Sequence, residues 1–286
     1  MRYESPVTTR DAVGLLAKEK GAAYVLAGGT DLLVRLKMGS VEPALVVDIK
    51  RIPDMTAIKA TKAAFRIGAG VSGAQIGRDK ALRKAWPGLV EAAQLIGSDQ
   101  VQGRCTISGN LCNASPAADS VPAMVAAKAK AVIAGKGGRR KLPVEDVILG
   151  PGRTSLKQGE LIEAIEVPRP KPRTGDAYLR FTPRTEMDIA VVGVGISLTL
   201  ERGKVKAARV CLGAVAPTPV LVPAAAKALV GSKLEAPALA AMGAACSAAC
   251  NPIDDKRGTA AYRIRVASVL AQRAAKIAFE RAGGKL

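Results

Sequence analysis

Three prolines in five residues, Pro168-Arg169-Pro170-Lys171-Pro172, constrain this chain more than any other feature. Proline fixes φ and removes a backbone donor, so neither a helix interior nor a central strand can run through such a stretch. It reads as a linker, and the sequence changes texture across it. Before it, short apolar strands alternate with helical periods. Thr8-Thr9-Arg10-Asp11 has a capping-box pattern that opens an amphipathic helix through Leu15, Leu16 and Lys20. Residues 24–27 form a strand, Gly28-Gly29-Thr30-Asp31 breaks it, and residues 32–38 resume with helical spacing. Strands are expected at 45–49, 65–69 and 161–167, and helices at about 89–96 and after 121. Residues 97–119 read as one polar, glycine-broken loop, and 136–141 as a basic hairpin tip. After the linker, residues 177–181, 189–200 and 205–212 are β-rich, and two alanine-rich helices follow at about 236–249 and 260–282. That order implies an α+β unit of antiparallel strands with helices on one face.

The chain is 286 residues long, half of them apolar, with 43 Lys+Arg, 24 Asp+Glu, a formal charge of +19 and no histidine. Length and apolar content imply roughly two domains with buried cores. The missing histidine excludes a Ser-His-Asp triad, a His-ligated zinc or iron site and a histidyl-linked cofactor. No catalytic side chain and no metal ligand set is expected. The charge calls for an anionic partner: nucleic acid, acidic protein subunits or phosphorylated ligands. With only eight aromatic residues, the chain lacks the stacking platforms that single-stranded nucleic acid needs. Five irregularly spaced cysteines suggest buried thiols rather than a disulfide framework or a zinc site, and point to the cytoplasm. The longest apolar stretch, 189–200, is too short to span a bilayer, and residues 1–6 lack the apolar core of a signal peptide.

Three loops can carry chemistry. In Val25-Leu26-Ala27-Gly28-Gly29-Thr30-Asp31-Leu32, two glycines allow a sharp turn whose successive N–H groups can face one anion. Taken alone, it is either such a cradle or an ordinary tight turn. The stretch Cys105-Thr106-Ile107-Ser108-Gly109-Asn110-Leu111-Cys112, continuing to Asp119, is long and dense in hydrogen-bonding groups. In the third, Arg180 is followed by Met187-Asp188-Ile189-Ala190.

With Gly150-Pro151-Gly152-Arg153-Thr154, Glu160-Leu161-Ile162 and Pro252-Ile253-Asp254-Asp255-Lys256-Arg257-Gly258, these loops occur in an order that resembles the FAD-binding medium subunit of the molybdenum hydroxylases. That family includes aerobic carbon monoxide dehydrogenase and bacterial xanthine dehydrogenases. The resemblance implies a vanillyl-alcohol-oxidase-like (PCMH-type) FAD fold in two subdomains, followed by a C-terminal α+β domain. The corresponding boundaries are 1–55, 56–172 and 173–286. It implies non-covalent FAD in this chain, with the molybdenum cofactor in a large partner subunit and [2Fe-2S] clusters in a small one. Electrons pass from those clusters through FAD to an external acceptor, in a dimer of heterotrimers with neither a nucleic-acid ligand nor a membrane span.

Carried over by position, Val25, Leu26, Ala27, Gly28, Gly29, Thr30, Asp31 and Leu32 cradle the pyrophosphate. Cys105, Thr106, Gly109, Asn110 and Cys112 line the ribityl and phosphate path, and Asp119 accepts hydrogen bonds. Ile96, Gly97 and Ile162 pack on the cofactor, and Arg180 sits near the redox edge where relatives often carry lysine. Ser108 replaces a glycine of the family's usual T-I-G-G-N. A stand-alone FAD oxidoreductase and a basic nucleic-acid-binding protein are the alternative readings.

Overall fold

The computed structural model describes residues 1–185 and 187–286. Its N-terminal unit runs β1 (Arg2–Glu4), α1 (Thr9–Lys18), β2 (Ala23–Leu26), α2 (Leu32–Lys37) and β3 (Leu45–Asp48). The three strands are parallel in the order β1-β3-β2, with Arg2 and Ala23 both opposite Leu45. Central β3 is buried along its whole length, as its unbroken Leu-Val-Val run requires between two neighbours. Helix α1 starts as its sequence predicts: Thr8 Oγ1 accepts from the Asp11 amide at 3.1 Å, and Ala12, Val13 and Leu16 turn inward.

The second unit adds β4 (Ile58–Ala60), β5 (Ala64–Gly68), α3 (Gly73–Arg78), α4 (Lys80–Ala85), α5 (Pro87–Gln94), α6 (Asp99–Gln102), α7 (Ile107–Asn113), α8 (Ser120–Ala126), β6 (Lys130–Gly135), β7 (Gly138–Pro143), a small β8 (Ile148–Gly150)–β9 (Arg153–Thr154) pair and β10 (Leu161–Pro168). Its antiparallel sheet has the order β4-β5-β10-β6-β7, so the last strand enters the middle. Residues 97–119, expected as one loop, contain α6 and α7. These helices have four and seven residues, too short for a hydrophobic period to show. Helix α7 is set locally by Thr106, whose Oγ1 accepts from Gly109 N at 2.9 Å, and is stopped by Ala114 at φ 50°. Of the expected hairpin tip, most is strand; the reversal itself is at Lys136-Gly137.

The linker is not free. The Trp86 indole donates to Pro168 O at 2.7 Å, and the Arg169 guanidinium lies over the Phe65 ring, 4.0 Å from its centroid. Beyond it, β11 (Thr174–Phe181), β12 (Val192–Glu201), β13 (Lys204–Gly213) and β14 (Val220–Leu221) form an antiparallel sheet in sequence order. The strand expected from 189 begins at Val192, because Asp188 accepts from the Ile189 amide and turns the chain there. Helices α9 (Pro223–Leu229), α10 (Ala236–Ala248) and α11 (Ala260–Arg281) follow. Val194, Ile196 and Leu198 of β12 share a core with Met242, Ala271 and Phe279 of these helices. The other face of β12 meets α8: Ser197 Oγ donates to Ala126 O at 2.7 Å.

Candidate cofactor-binding site

A cleft of about 390 Å³ runs between the first two units. One wall is the turn after β2. A Cβ on Gly28 would lie 2.2 Å from the Arg104 carbonyl oxygen, so this turn and the loop before Thr106 meet backbone to backbone. Gly29 has φ +81°, the left-handed conformation that favours glycine. Among the described residues, the amides of Gly28, Gly29 and Thr30 find no acceptor, while the Gly29 carbonyl takes Leu33 N at 2.9 Å. Three unsatisfied donors on one turn lining a cleft suit an anion.

The facing wall is the start of α7. Gly73 N donates to Cys105 O at 2.8 Å, which ties the wall to α3. Asn110 Oδ1 accepts from both the amide and the hydroxyl of Ser120, at 3.2 and 2.7 Å. Ser108 Oγ is buried without a partner. Burial pushes the Cys105 thiol up to about 11 and the Cys112 thiol to about 12, so both stay protonated and neither serves as a nucleophile. One part of the cleft is apolar, formed by Ile96, Leu161 and Ile162. Beside them, Glu160 is paired with Arg140 at 2.8 Å, which holds its carboxyl below the usual range. Tyr24 and Arg35 also line the cleft, with the guanidinium 5.8 Å from the ring centroid.

Of the residues expected at the cofactor, Val25, Ala27, Gly28, Gly29, Thr30, Asp31, Leu32, Ile96, Cys105, Thr106, Gly109, Asn110, Cys112 and Ile162 line this one cleft. Leu26, Gly97, Asp119 and Arg180 do not. Leu26 is buried beneath the glycine turn, and Gly97 has φ +66° against Val101. Asp119 and Arg180 pair with each other: Arg180 Nη1 reaches Oδ2 at 2.7 Å, and the buried Tyr178 hydroxyl donates to Oδ1 at 2.8 Å. Burial pushes the Asp119 carboxyl up, against the opposing pull of Arg180 and Tyr178. Tyr24, Arg35, Ser108, Asn113, Thr154 and Glu160 also line the cleft without having been assigned to it from sequence. Arg35 had a signal, its i,i+4 spacing from Asp31, and Thr154 and Glu160 lie in the ordered loops; Tyr24 had none. Among the described residues, no three of His, Cys, Asp and Glu are placed to hold a metal ion, and all five cysteines are free.

Free amides on a glycine turn, a facing wall bearing hydroxyl and amide groups and an apolar patch suit a cofactor that carries both phosphate and a flat ring system, as a flavin dinucleotide does. Residues 1–170 match the family described as FAD binding domain in molybdopterin dehydrogenase, and residues 177–278 that of the CO dehydrogenase flavoprotein C-terminal domain. The carbon monoxide dehydrogenase medium chain of Afipia carboxidovorans is 34% identical over 98% of this chain and 97% of its own. The xanthine dehydrogenase FAD-binding subunit of Escherichia coli O157:H7 is 29% identical over 99% and 98%. Among solved structures, a chain of the reconstituted CO dehydrogenase from Oligotropha carboxidovorans superposes with a TM-score of 0.94 at 33% identity, covering 98% of both chains. The chain belongs to the FAD-binding subunits of the molybdenum hydroxylases.

Proposed function

We propose that this chain is the FAD-binding electron-transfer subunit of a heterotrimeric molybdenum hydroxylase of the carbon monoxide or xanthine dehydrogenase type. It receives electrons from [2Fe-2S] clusters of a small subunit and passes them to an external acceptor, while a large subunit carries the molybdenum cofactor. The observation that carries this reading is the set of free amides at Gly28, Gly29 and Thr30 on the wall of the cleft. When bound, FAD supplies the redox chemistry, accepting electrons singly and releasing them singly or in pairs. The protein's part is to bind, orient and shield. The glycine turn offers three donors to the pyrophosphate, the start of α7 brings Thr106 and Asn110 alongside, and Ile96 and Ile162 give the ring system an apolar bed. Tied to Arg180 and Tyr178, Asp119 stands at the far side of the α7–α8 connection.

In this reading 1–55 and 56–172 are the two FAD-binding subdomains and 173–286 is the C-terminal flavoprotein domain. The charge of +19 then serves docking to partner subunits and solubility rather than nucleic acid. Five free thiols suit a reducing cytoplasm, and we place the complex there as a dimer of heterotrimers. No helix among the described residues is long and apolar enough to cross a membrane.

The test is the colour of the purified chain. It should carry or take up one FAD, seen as flavin absorbance, and release it on denaturation: no histidine is present to link it, and burial keeps the cleft thiols of Cys105 and Cys112 protonated and unreactive. A chain that stays colourless after incubation with FAD overturns the reading.

A further inference from the structure

Adjacent residues at the start of α8 face opposite ways. Ser120, fully buried, gives its amide and hydroxyl to Asn110 Oδ1, and Asn110 lines the cleft. Asp119 turns the other way, to the C-terminal sheet, where Tyr178 holds Oδ1 at 2.8 Å and Arg180 holds Oδ2 at 2.7 Å. Tyr178 is 3% exposed. Its hydroxyl lies 2.7 Å from where a Cβ on Gly193 would stand, so the neighbouring strand is bare of side chain at the point the hydroxyl occupies. Arg180 supplies the charge for Asp119, but a single partner leaves a carboxylate free to turn about its last torsion. A second donor on the other oxygen fixes its plane.

We propose that Tyr178 is a positioning residue of the flavin site: by fixing the Asp119 carboxylate it sets the start of α8 and, through Ser120 and Asn110, the polar wall of the cleft. The C-terminal domain thereby governs how tightly the FAD-binding half holds its cofactor. This rests on the flavin reading above. The groups facing Asp119 are Arg180 and Tyr178, with Cys211 behind the tyrosine. Burial pushes the Asp119 carboxyl up, and both hydrogen bonds oppose that shift. Loss of the hydroxyl therefore lets Asp119 take a proton at higher pH.

The experiment is Tyr178→Phe, which keeps the ring, with FAD dissociation followed by flavin fluorescence across pH. We expect affinity to fall by up to about tenfold, the limit set by one net hydrogen bond wholly coupled to binding, and the acid limb of the affinity profile to move to higher pH. Asp119→Asn should remove the acid limb, and adding Tyr178→Phe to it should cost little more, since the two act as one unit. An unshifted pH profile in Tyr178→Phe overturns the proposal, whether or not thermal stability falls. So do independent, additive losses in the double variant. Failure of the wild-type chain to take up FAD at all overturns the flavin reading itself, and this proposal with it.

Discussion

A methyl group at position 28 would lie 2.2 Å from the carbonyl oxygen of Arg104 and 2.9 Å from its carbonyl carbon. Backbone cannot rotate away from such a contact, so Gly28→Ala must push the cradle off the loop that precedes Thr106. The expected result is a flavin-to-protein ratio at least about tenfold lower after gel filtration, since a displacement near 1 Å is enough to spoil a preorganised site. A second prediction concerns Asp176, which accepts from Leu89 N at 3.0 Å and whose Oδ1 is buried without a partner. Burial raises its carboxyl to about 7, against the opposing amides of Gly88 and Leu89 and the charge of Arg281. The unfolded value is about 3.9, so between these limits the folded chain binds more protons, and stability falls as pH rises through the window. Asp176→Asn should therefore be more stable than wild type at pH 8, by on the order of 2–4 kcal/mol, because each tenfold difference in proton affinity is worth ~1.4 kcal/mol. The advantage should vanish near pH 4. Denaturant titrations at the two values check this, and an equal difference at both would contradict it. Single residues differ in how legible they were. The glycine turn was legible only in company: taken alone it is also an ordinary tight turn, and the order of the loops around it is what pointed to a cradle. Asp119 and Arg180 were each placed near the flavin by resemblance, but nothing in their spacing showed that they hold one another.

Glu163 shows how elements of the first two units are fastened together. It sits on β10, 2% exposed, and accepts from Arg139 on β7 at 2.7 and 2.9 Å and from Thr9 on α1 at 3.1 Å; Arg66 on β5 pairs with it at 3.0 Å. The Arg139 hydrogen bonds, ahead of Arg66, hold its carboxyl down to about 2. Because the folded value lies below the unfolded one, the stabilisation is complete above about pH 4.3 and is lost as pH falls through 2. Replacing a buried carboxylate that serves two arginines costs ~3–5 kcal/mol when the stranded charges stay buried. Here Arg139 is 62% and Arg66 29% exposed, so water screens what remains. Glu163→Gln should therefore cost about 1–2 kcal/mol at pH 7, read as a lowered denaturation midpoint, and no more than a trace near pH 2. At this scale most of the fold was legible. Helix α1 follows from its capping residues and apolar period, β2, β3, β5 and β10 from short apolar runs, and the two long C-terminal helices from their alanine-rich composition. Two kinds of feature were not. Helices of four to seven residues such as α6 and α7 are too short to show a period and are held by contacts such as Gln102 Nε2 to Gln94 O. The insertion of β10 between β5 and β6 is a pairing between strands far apart in sequence, which local pattern does not encode.

The proline stretch divides the sequence but not the folded molecule. Helix α8, whose seven residues are all buried, belongs by sequence to the FAD-binding half, yet the C-terminal sheet holds it at both ends. Asp119, at its start, is gripped by Tyr178 and Arg180. At its other end, Arg209 Nε donates to Val125 O and Ser197 Oγ to Ala126 O, each at 2.7 Å, satisfying carbonyls that a helix terminus leaves open. Tyr178 and Cys211, both beyond the linker, pack into the core of the N-terminal half. Gly195 lets β12 come so close that a Cβ there would lie 2.3 Å from Pro122 O. Two sequence domains that share a core and a helix in this way should unfold together. Scanning calorimetry of the wild-type chain is expected to show one cooperative transition. In Gly195→Val the side chain has no room against Pro122, so the sheet must part from α8. That variant should resolve into two transitions, the FAD-binding half melting first, with flavin lost in the earlier one. Two separate transitions in the wild-type chain would show that the halves are joined by the linker alone, and a single unshifted transition in Gly195→Val would show that the approach of β12 to α8 carries no stability.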